Sequence, residues 1–376
     1  MNFELDDDQR ALGDSLARLL ADRGAFEQRR ALVAGDAWHD AQTWSALAGL
    51  GLTALPLPEA HGGFGGGARD LLPVMQAMGR ALSLEPYLAT VLGATALRLA
   101  GTDAQQAQVL PGVAEGGTRL AWAHDEPEGR HAPLWVQAAA RPAKDGWRLT
   151  GVKSPVAGLG PAQRVVVSAR VSGAPGDAAG CALFLVDPAA PGVQARAFRL
   201  VDDTAGGELR LDDAPAEPLG DPLDAAVQAL AIERTQALGL AAACADMVGA
   251  AEAAFALAME YVRTRKQFGR AIGENQALRH RASQMFVALE MARSMALAAA
   301  VAADEPDGEH ARADLSRAKL SVGRNARAVA HGAIQLHGGI GMTEEYAVGH
   351  SLRRIHVMDQ CFGDADAHAA RLAALA

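Results

Sequence analysis

Between Tyr261 and Met285 the chain reads YVRTRKQFGRAIGENQALRHRASQM. Arg263, Arg265 and Lys266 gather cations within four residues, Phe268-Gly269 follows them, and Gln276 heads a new periodic run. A guanidinium offers a planar fork of donors that matches a pair of phosphate oxygens. The interval Gly269–Gly273 reads as a break between two helices. The cations then fall in the last turn of the first helix, where the dipole favours them. Glu274 falls in the first turn of the second. Such an end suits a bidentate anion such as a pyrophosphate. On charge alone, a solvated basic helix end fits as well. Further on, AIQLHGGIGMTEEY (Ala333–Tyr346) sets Gln335 before Gly338-Gly339, with glycine supplying helix C-cap geometry.

The pattern YxxxRxQFGxxIxxxQ resembles the signature of the acyl-CoA dehydrogenase family, and AIQLHGGIGMTEEY resembles that family's second FAD-contacting loop. The two lie in the family's order. The resemblance extends over the chain: FELDDDQRAL, GLTALPLPEAHGGFGGG and GRALSLEPYLATV fit the opening helices, and WRLTGVKSPV fits the β-domain. Within the family, TRKQFG, QLHGGIGMT and FGDAD are similar to pimeloyl-CoA dehydrogenase small subunits. The resemblance implies an FAD-dependent oxidoreductase that desaturates an acyl-CoA thioester between Cα and Cβ. The substrate would be pimeloyl-CoA or another dicarboxylyl or medium-chain acyl-CoA. It also implies that Arg265, Gln267, Phe268, Gln276, Gln335, Gly338 and Gly339 reach the FAD of a neighbouring subunit. A homo- or hetero-oligomer with a large dehydrogenase subunit follows, with an electron-transfer flavoprotein as acceptor.

That chemistry needs a flavin held against Cβ, donors for the enolate-like thioester oxygen, and a buried carboxylate with its pKa raised towards about 6–7 to take the α-proton. The sequence meets these needs unevenly. The family's usual base position, counted from Leu352-Arg353-Arg354, falls on Gly363, leaving Asp364 as a displaced base or as the cap of the last helix. The alternative base position, on the first long C-terminal helix, falls near Gly239. Glu233 and Asp246, two turns to either side, are the carboxylates there. In the flavin-facing loop AWAHDEPEGRH, Asp125 stands where the resemblance leads one to expect Thr, and only Glu126-Pro127 agree. Pro155 and Ala157, after Gly151 and Lys153, stand where a Trp-x-Thr pair is expected. The half that serves a neighbour's cofactor is intact, while the half that would hold the chain's own is thin. A small partner in a two-chain enzyme, or a non-catalytic small subunit or scaffold, accounts for that asymmetry. Fold alone licenses neither.

The remaining features set bounds. The 376 residues are 50% hydrophobic and 21% charged, an ordinary globular balance. With 35 Lys and Arg against 44 Asp and Glu the net charge is −9, which argues against a nucleic-acid partner. No run approaches eighteen apolar residues free of charge at its edges and no basic-apolar leader precedes Phe3, so a soluble cytoplasmic protein without a membrane span is expected. Cys181, Cys244 and Cys361 lie far apart and suggest neither disulfides nor a metal site.

The expected fold is mostly α with an inserted β-domain: helical over 1–118, a barrel or sandwich over 119–218, and a helical bundle of about four helices over 219–376. Leu12, Leu16, Leu19 and Leu20 mark the first helix, which Asp6, Asp7 and Asp8 can cap. Further helices are expected over 41–50, 68–82, 86–100 and 103–114, and PLPEAHGGFGGGARD reads as a tight connection rather than a phosphate loop. RLAWAHDE, WVQAAARPA, WRLTGVKSPV, RVVVSARV, CALFLVD and GVQARAFRL are strand-like, and a hairpin ends the domain. Long helices follow over 223–265 (with a break near Gly239), 276–303 and 311–336, then 344–359 and 365–375. His337 and His356 read as structural, with His337 also within reach of a phosphate.

Overall fold

The computed structural model describes residues 6–23, 26–144, 146–177, 179–305 and 310–375. Phe3 and most of the charged run after Asp304 lie outside them. Six helices come first: α1 (Asp7–Arg23), α2 (Phe26–Ala34), α3 (Ala41–Gly49), α4 (Ala68–Ala81), α5 (Tyr87–Ala100) and α6 (Asp103–Ala114). Asp6 caps α1 by accepting from Gln9 N at 2.8 Å, while Gln9 Oε1 accepts from Asp6 N at 3.0 Å. Helix α2 has no counterpart in the sequence reading. Its FEQRRALVA lacks a cap signal and a clean apolar stripe, and its one buried side chain is Arg29.

The glycine-rich stretch before α4 is a connection, as its pattern suggested. Gly63, Gly65 and Gly66 donate their N–H groups to Pro58, Leu57 and Leu55 carbonyls, so none remains to cradle a phosphate. The N-terminus of α4 is satisfied by a carboxylate instead: Asp304 accepts from Ala68 N at 2.6 Å and Arg69 N at 3.1 Å.

Seven strands follow: β1 (Leu120–Ala123), β2 (Ala139–Ala143), β3 (Gly146–Lys153), β4 (Arg164–Arg170), β5 (Cys181–Val186), β6 (Val193–Arg199) and β7 (Ala205–Pro218). Pairing runs β4–β2–β3–β7–β5 and returns from β5 to β4, so five strands close on themselves. β1 adds parallel to β4, and β6 pairs β7 as the closing hairpin. Closure leaves few free edges. A bulge between Leu149 and Gly151 bends β3, where Gly151 holds φ +151° beside Ala138. The interior is apolar, built from Val165, Val167, Phe184, Val186, Leu149 and Leu209.

The third segment is helical: α7 (Ala225–Thr264), a short hairpin β8 (Lys266–Gln267) and β9 (Arg270–Ala271), then α8 (Gln276–Asp304), α9 (Ala311–His337), α10 (Ala347–Gln360) and α11 (Ala365–Ala373). Helix α7 runs unbroken through Gly239, where a break was expected. Its Ala-rich neighbours have high helix propensity, and one glycine costs only about 1 kcal/mol. The described chain packs as two compact units. One holds Met1–Ala31, Ala68–Ser83 and Leu240–Ala376; the other holds Leu32–Gly67 and Leu84–Gly239. Thus α1 and α4 go with the C-terminal helices, whereas α3, α5 and α6 go with the strands. In the first unit glycines let backbones meet: a Cβ on Gly79 would lie 2.0 Å from Asp246 O, and one on Gly249 1.9 Å from Gln76 O. Both α7 and α8 contain an eighteen-residue stretch apolar enough to cross a bilayer. The sequence reading missed both, because it asked for runs free of charge at their edges. In α7 that stretch is 72% buried by the protein itself.

Candidate cofactor site

The interval after α7 is a hairpin rather than a plain break. Phe268 (φ +51°) and Gly269 (φ +79°) form its two-residue turn, both left-handed, as a two-residue hairpin loop requires. Gly pays nothing for this geometry; Phe268 pays about 1–2 kcal/mol. The result is a phenyl ring that is fully exposed. The hairpin is pinned to its neighbours. Arg265 N donates to Tyr261 O at 2.8 Å, Ile272 N to Arg265 O at 2.9 Å, and Arg270 to Asn275 Oδ1 at 2.9 Å.

The second motif lies beside the first. Tyr261, in the last turn of α7, packs on His337, the last residue of α9, with ring centroids 4.6 Å apart. His337 also meets Tyr346 at 4.9 Å. Its Nδ1 contacts Ala333 O at 2.8 Å and its Nε2 contacts the Tyr346 hydroxyl at 3.2 Å. Both ring nitrogens of this buried histidine are therefore occupied, so a bond from His337 to phosphate is not available without breaking the cluster. The sequence reading missed Tyr261 and Tyr346 as the clamp that joins the two motifs. Their signal was present, as both lie inside the quoted motifs. Burial raises the Tyr346 phenol above its ordinary range, and Glu260 and Tyr261 add to the shift.

At the end of α9 the chain turns through Gly338, with φ 65° and ψ −140°, a combination open essentially only to glycine. A Cβ at Gly338 or Gly339 would meet nothing within 4 Å, so the backbone there faces open space. Arg265, Gln276, Gln335, Gly338 and Gly339 are all exposed. Among the described residues no hydrogen bond or ion pair engages the side chains of Arg265, Gln276 or Gln335. The Gln267 side chain donates to the neighbouring Lys266 O. The Arg265 guanidinium and the Gln276 and Gln335 carboxamides thus keep their hydrogen-bonding capacity unspent among the described residues, whereas Gly338 gives its own N–H to Ile334 O. This donor set fits a diphosphate.

The carboxylates behave differently. Asp246 is fully buried and binds Arg354 through two bonds, Nε–Oδ1 at 2.8 Å and Nη2–Oδ2 at 2.7 Å. Each of its two oxygens is engaged by Arg354 in a buried ion pair. Asp364 is the N-cap of α11, accepting from Ala367 N at 2.8 Å, so the cap role is the one seen. Glu233 is exposed on α7. Gly363, with φ +97°, has its carbonyl held by the buried Lys319 at 2.6 Å, and Lys319 also donates to Asp359 O at 2.7 Å. Lys319 went unremarked in the sequence, where one lysine in a helix looks like surface.

In the second unit, the residues expected near a flavin ring are also accounted for. Asp125 is exposed, and its carbonyl accepts from Ser154 N at 2.9 Å. Pro155 and Ala157 are exposed and bring no hydroxyl or indole. Glu126 and Lys153, which do agree with the family, form a buried ion pair at 2.6 Å. Glu126 also accepts from Gln137 N and Ala138 N, and Lys153 donates to His124 O and Ser168 Oγ. Burial lowers the Lys153 pKa, and Glu126 opposes that shift. These two residues spend their hydrogen bonds inside the barrel unit.

Residues 6–117 match the family model described as acyl-CoA dehydrogenase, N-terminal domain, and residues 223–375 match acyl-CoA dehydrogenase, C-terminal domain. The chain belongs to the acyl-CoA dehydrogenase family. It is therefore an oxidoreductase of the FAD-dependent kind that the motifs implied. Among relatives of this acyl-CoA dehydrogenase, FadE12 of Mycobacterium tuberculosis is 31% identical over 318 residues, covering 82% of this chain and 81% of that protein. Among solved structures, the Tcur3481-Tcur3483 steroid ACAD superposes with a TM-score of 0.88 at 30% identity, covering 98% of this chain and 97% of that one. The ChsE4-ChsE5 complex from Mycobacterium tuberculosis superposes with a TM-score of 0.87 at 26% identity, covering 100% and 98%.

Proposed function

We propose that this chain is one subunit of a two-chain acyl-CoA dehydrogenase, completing the FAD site of a larger partner that carries the catalytic base. The observation that carries this reading is the contrast above. The donors for a cofactor diphosphate are exposed and unspent, whereas Asp246 and Asp364 are occupied and Gly363 and Gly239 bear no side chain. Two structural relatives named as pairs, Tcur3481-Tcur3483 and ChsE4-ChsE5, support it.

In this reading Arg265 neutralises diphosphate charge through a bidentate bond. Gln276 and Gln335 add donors, Gly338-Gly339 lets backbone approach closely, and Phe268 offers an apolar edge. FAD, when bound, supplies the acceptor for the hydride leaving Cβ. The Tyr261–His337–Tyr346 cluster keeps the two motifs in register. Asp125 adds a negative charge, which disfavours an anionic reduced flavin on this chain's own barrel. The substrate class is an acyl-CoA thioester, with pimeloyl-CoA or another dicarboxylyl or medium-chain thioester as the first choice. A ring-bearing acyl group is the second choice, in line with the relative named a steroid ACAD. The electron acceptor in this reading is an electron-transfer flavoprotein.

The test is to express the chain alone and with a candidate large acyl-CoA dehydrogenase subunit from the same genome, then read flavin absorbance and turnover on straight-chain, dicarboxylyl and polycyclic acyl-CoA. Flavin and turnover only in the pair are expected. A yellow, active oligomer of this chain alone would overturn the reading in favour of a homomeric enzyme using Asp364, in which Asp364→Asn abolishes turnover with FAD retained. A pair that binds FAD yet gains no turnover from this chain would make it a non-catalytic scaffold.

A further inference from the structure

Between α9 and α10 the second motif crosses open surface. Gly338 and Gly339 are exposed there, with Ile340 at 44% and Met342 at 81%. Beyond the short 3₁₀ turn Gly338–Met342, its backbone bonds are Thr343 N to Ile340 O at 3.2 Å and Tyr346 N to Thr343 O at 3.5 Å. A stretch held this lightly opens easily unless side chains pin it. The pins meet at Glu344. Its carboxylate pairs with Arg353 of α10, and its carbonyl lies 3.2 Å from Nε2 of His350 on the same helix. His350 is buried, and on its other side stands Arg29 of α2, with Nη1 3.3 Å from Nδ1. A guanidinium has donors only. Nδ1 therefore accepts, and the ring proton sits on Nε2, which donates it to Glu344 O. The Arg29 bond thus selects the tautomer that the Glu344 bond requires. Arg29 is itself fixed, since its Nε donates to Leu82 O at 3.1 Å. Phe26, on the preceding turn of α2, sets its ring edge-on to His350 at 4.8 Å. Phe26, Arg29 and α10 all belong to one compact unit.

We infer that Arg29 and His350 are positioning residues for the second cofactor motif, a role that rests on the cofactor reading above. Through Glu344 they hold the 338–346 backbone in the shape that meets a diphosphate. Neither residue has to touch the cofactor. A loop that is already ordered costs less to engage, whereas a freed loop must be ordered as the cofactor binds. Cutting the brace therefore lowers affinity without removing a single donor from the site. This also gives α2 its purpose: its one buried side chain, Arg29, is spent on an imidazole 321 residues further along the chain.

The experiment uses the full chain, alone and paired with the candidate large subunit. Arg29→Met keeps an apolar stem and drops the donors. His350→Asn keeps an acceptor for Arg29 and cuts the bond to Glu344. Arg30→Met, the next residue on α2, is the control; its partner is the exposed Glu27. Hydrogen–deuterium exchange over 338–346 reads the brace in the single chain, flavin fluorescence reads affinity in the pair, and circular dichroism reports folding. In Arg29→Met and His350→Asn, exchange over 338–346 is expected to quicken about tenfold while α8 and α9 keep their rates. Flavin affinity falls about tenfold as well, and Arg30→Met matches the wild type. Unchanged exchange over 338–346 overturns the inference, as does a quickening spread evenly over the whole chain. Should Arg29→Met fail to fold, His350→Asn decides by the same criterion. Arg265→Ala separates the brace from the cofactor reading. If the loop quickens while Arg265→Ala keeps its flavin, the brace stands and the cofactor reading falls. If Arg265→Ala loses flavin while the loop is unmoved, the reverse holds. A quickened loop with wild-type flavin affinity, when Arg265→Ala loses flavin, overturns the positioning role.

Discussion

Two regions carry residues that agree with the family, and the fold uses them in opposite ways. In the barrel, Lys153 and Glu126 are sealed from water and satisfy each other at 2.6 Å, with backbone groups taking the remaining bonds. At the end of α7 and α9, Arg265, Gln276 and Gln335 stand in solvent with no partner among the described residues. A matching residue type therefore says little about role. What separates scaffold from recognition is whether the chain's own packing has consumed the group's hydrogen bonds.

The largest effect expected from breaking this contrast is in the barrel. Lys153→Met leaves the Glu126 carboxylate buried without its cation and costs about 3–5 kcal/mol in urea unfolding. At Arg265 the order is reversed: Arg265→Ala weakens flavin binding by the assembled enzyme about 10–100-fold, as loss of a charge-assisted bidentate bond does. Unfolding then moves by no more than about 0.5 kcal/mol. A denaturation midpoint that shifts with Arg265 would place it in the scaffold class. Next in size is Asp364→Ala, which removes the α11 cap at a cost of about 1 kcal/mol. The calorimetric midpoint checks this, and turnover of the assembled enzyme stays unchanged.

A pH effect comes from His368, which burial, with help from Arg371 and Lys319, pushes down to about 4. The unfolded chain's histidine takes up its proton near pH 6.5. The stability contribution is therefore present above about pH 6.5 and is lost as pH falls from there through about 4. Urea titrations across that window show a decline that His368→Gln lacks. The smallest effect is at the hairpin. Phe268→Gly relieves the left-handed φ and raises stability by up to about 1 kcal/mol, while flavin affinity falls. A Phe268→Gly chain that gains stability and keeps its affinity would remove Phe268 from the site.

Much of the chain was readable from local pattern. Helix α6 runs from Asp103 to Ala114, over the 103–114 read from the sequence, and β4 and β5 are as buried as RVVVSAR and CALFLV suggest. The errors are local too. Helix α2 carries its one buried contact through Arg29, which donates to Leu82 O at 3.1 Å, a partner 53 residues away that no window can see. The hairpin at Phe268 escaped because its strands are two residues each and its turn lacks the usual Asn-Gly or Asp-Gly. For the site, the donor residues were legible as motifs, while the fate of the carboxylates was not.

The sequence by itself determined the order of helical and strand segments, the two motifs that the resemblance ties to a cofactor, and the glycine standing where the resemblance puts a base. Each is written in contiguous residues, through periodicity, capping or short-range geometry. Only the tertiary structure decided which charges are spent. Asp246 meets Arg354 across 108 residues, Glu126 meets Lys153 across 27, and Lys319 reaches Gly363 across 44. Such partners are selected by packing between elements, since a buried charge must find its counterpart wherever the fold brings one near. That selection left Arg265, Gln276 and Gln335 with their donors facing outward.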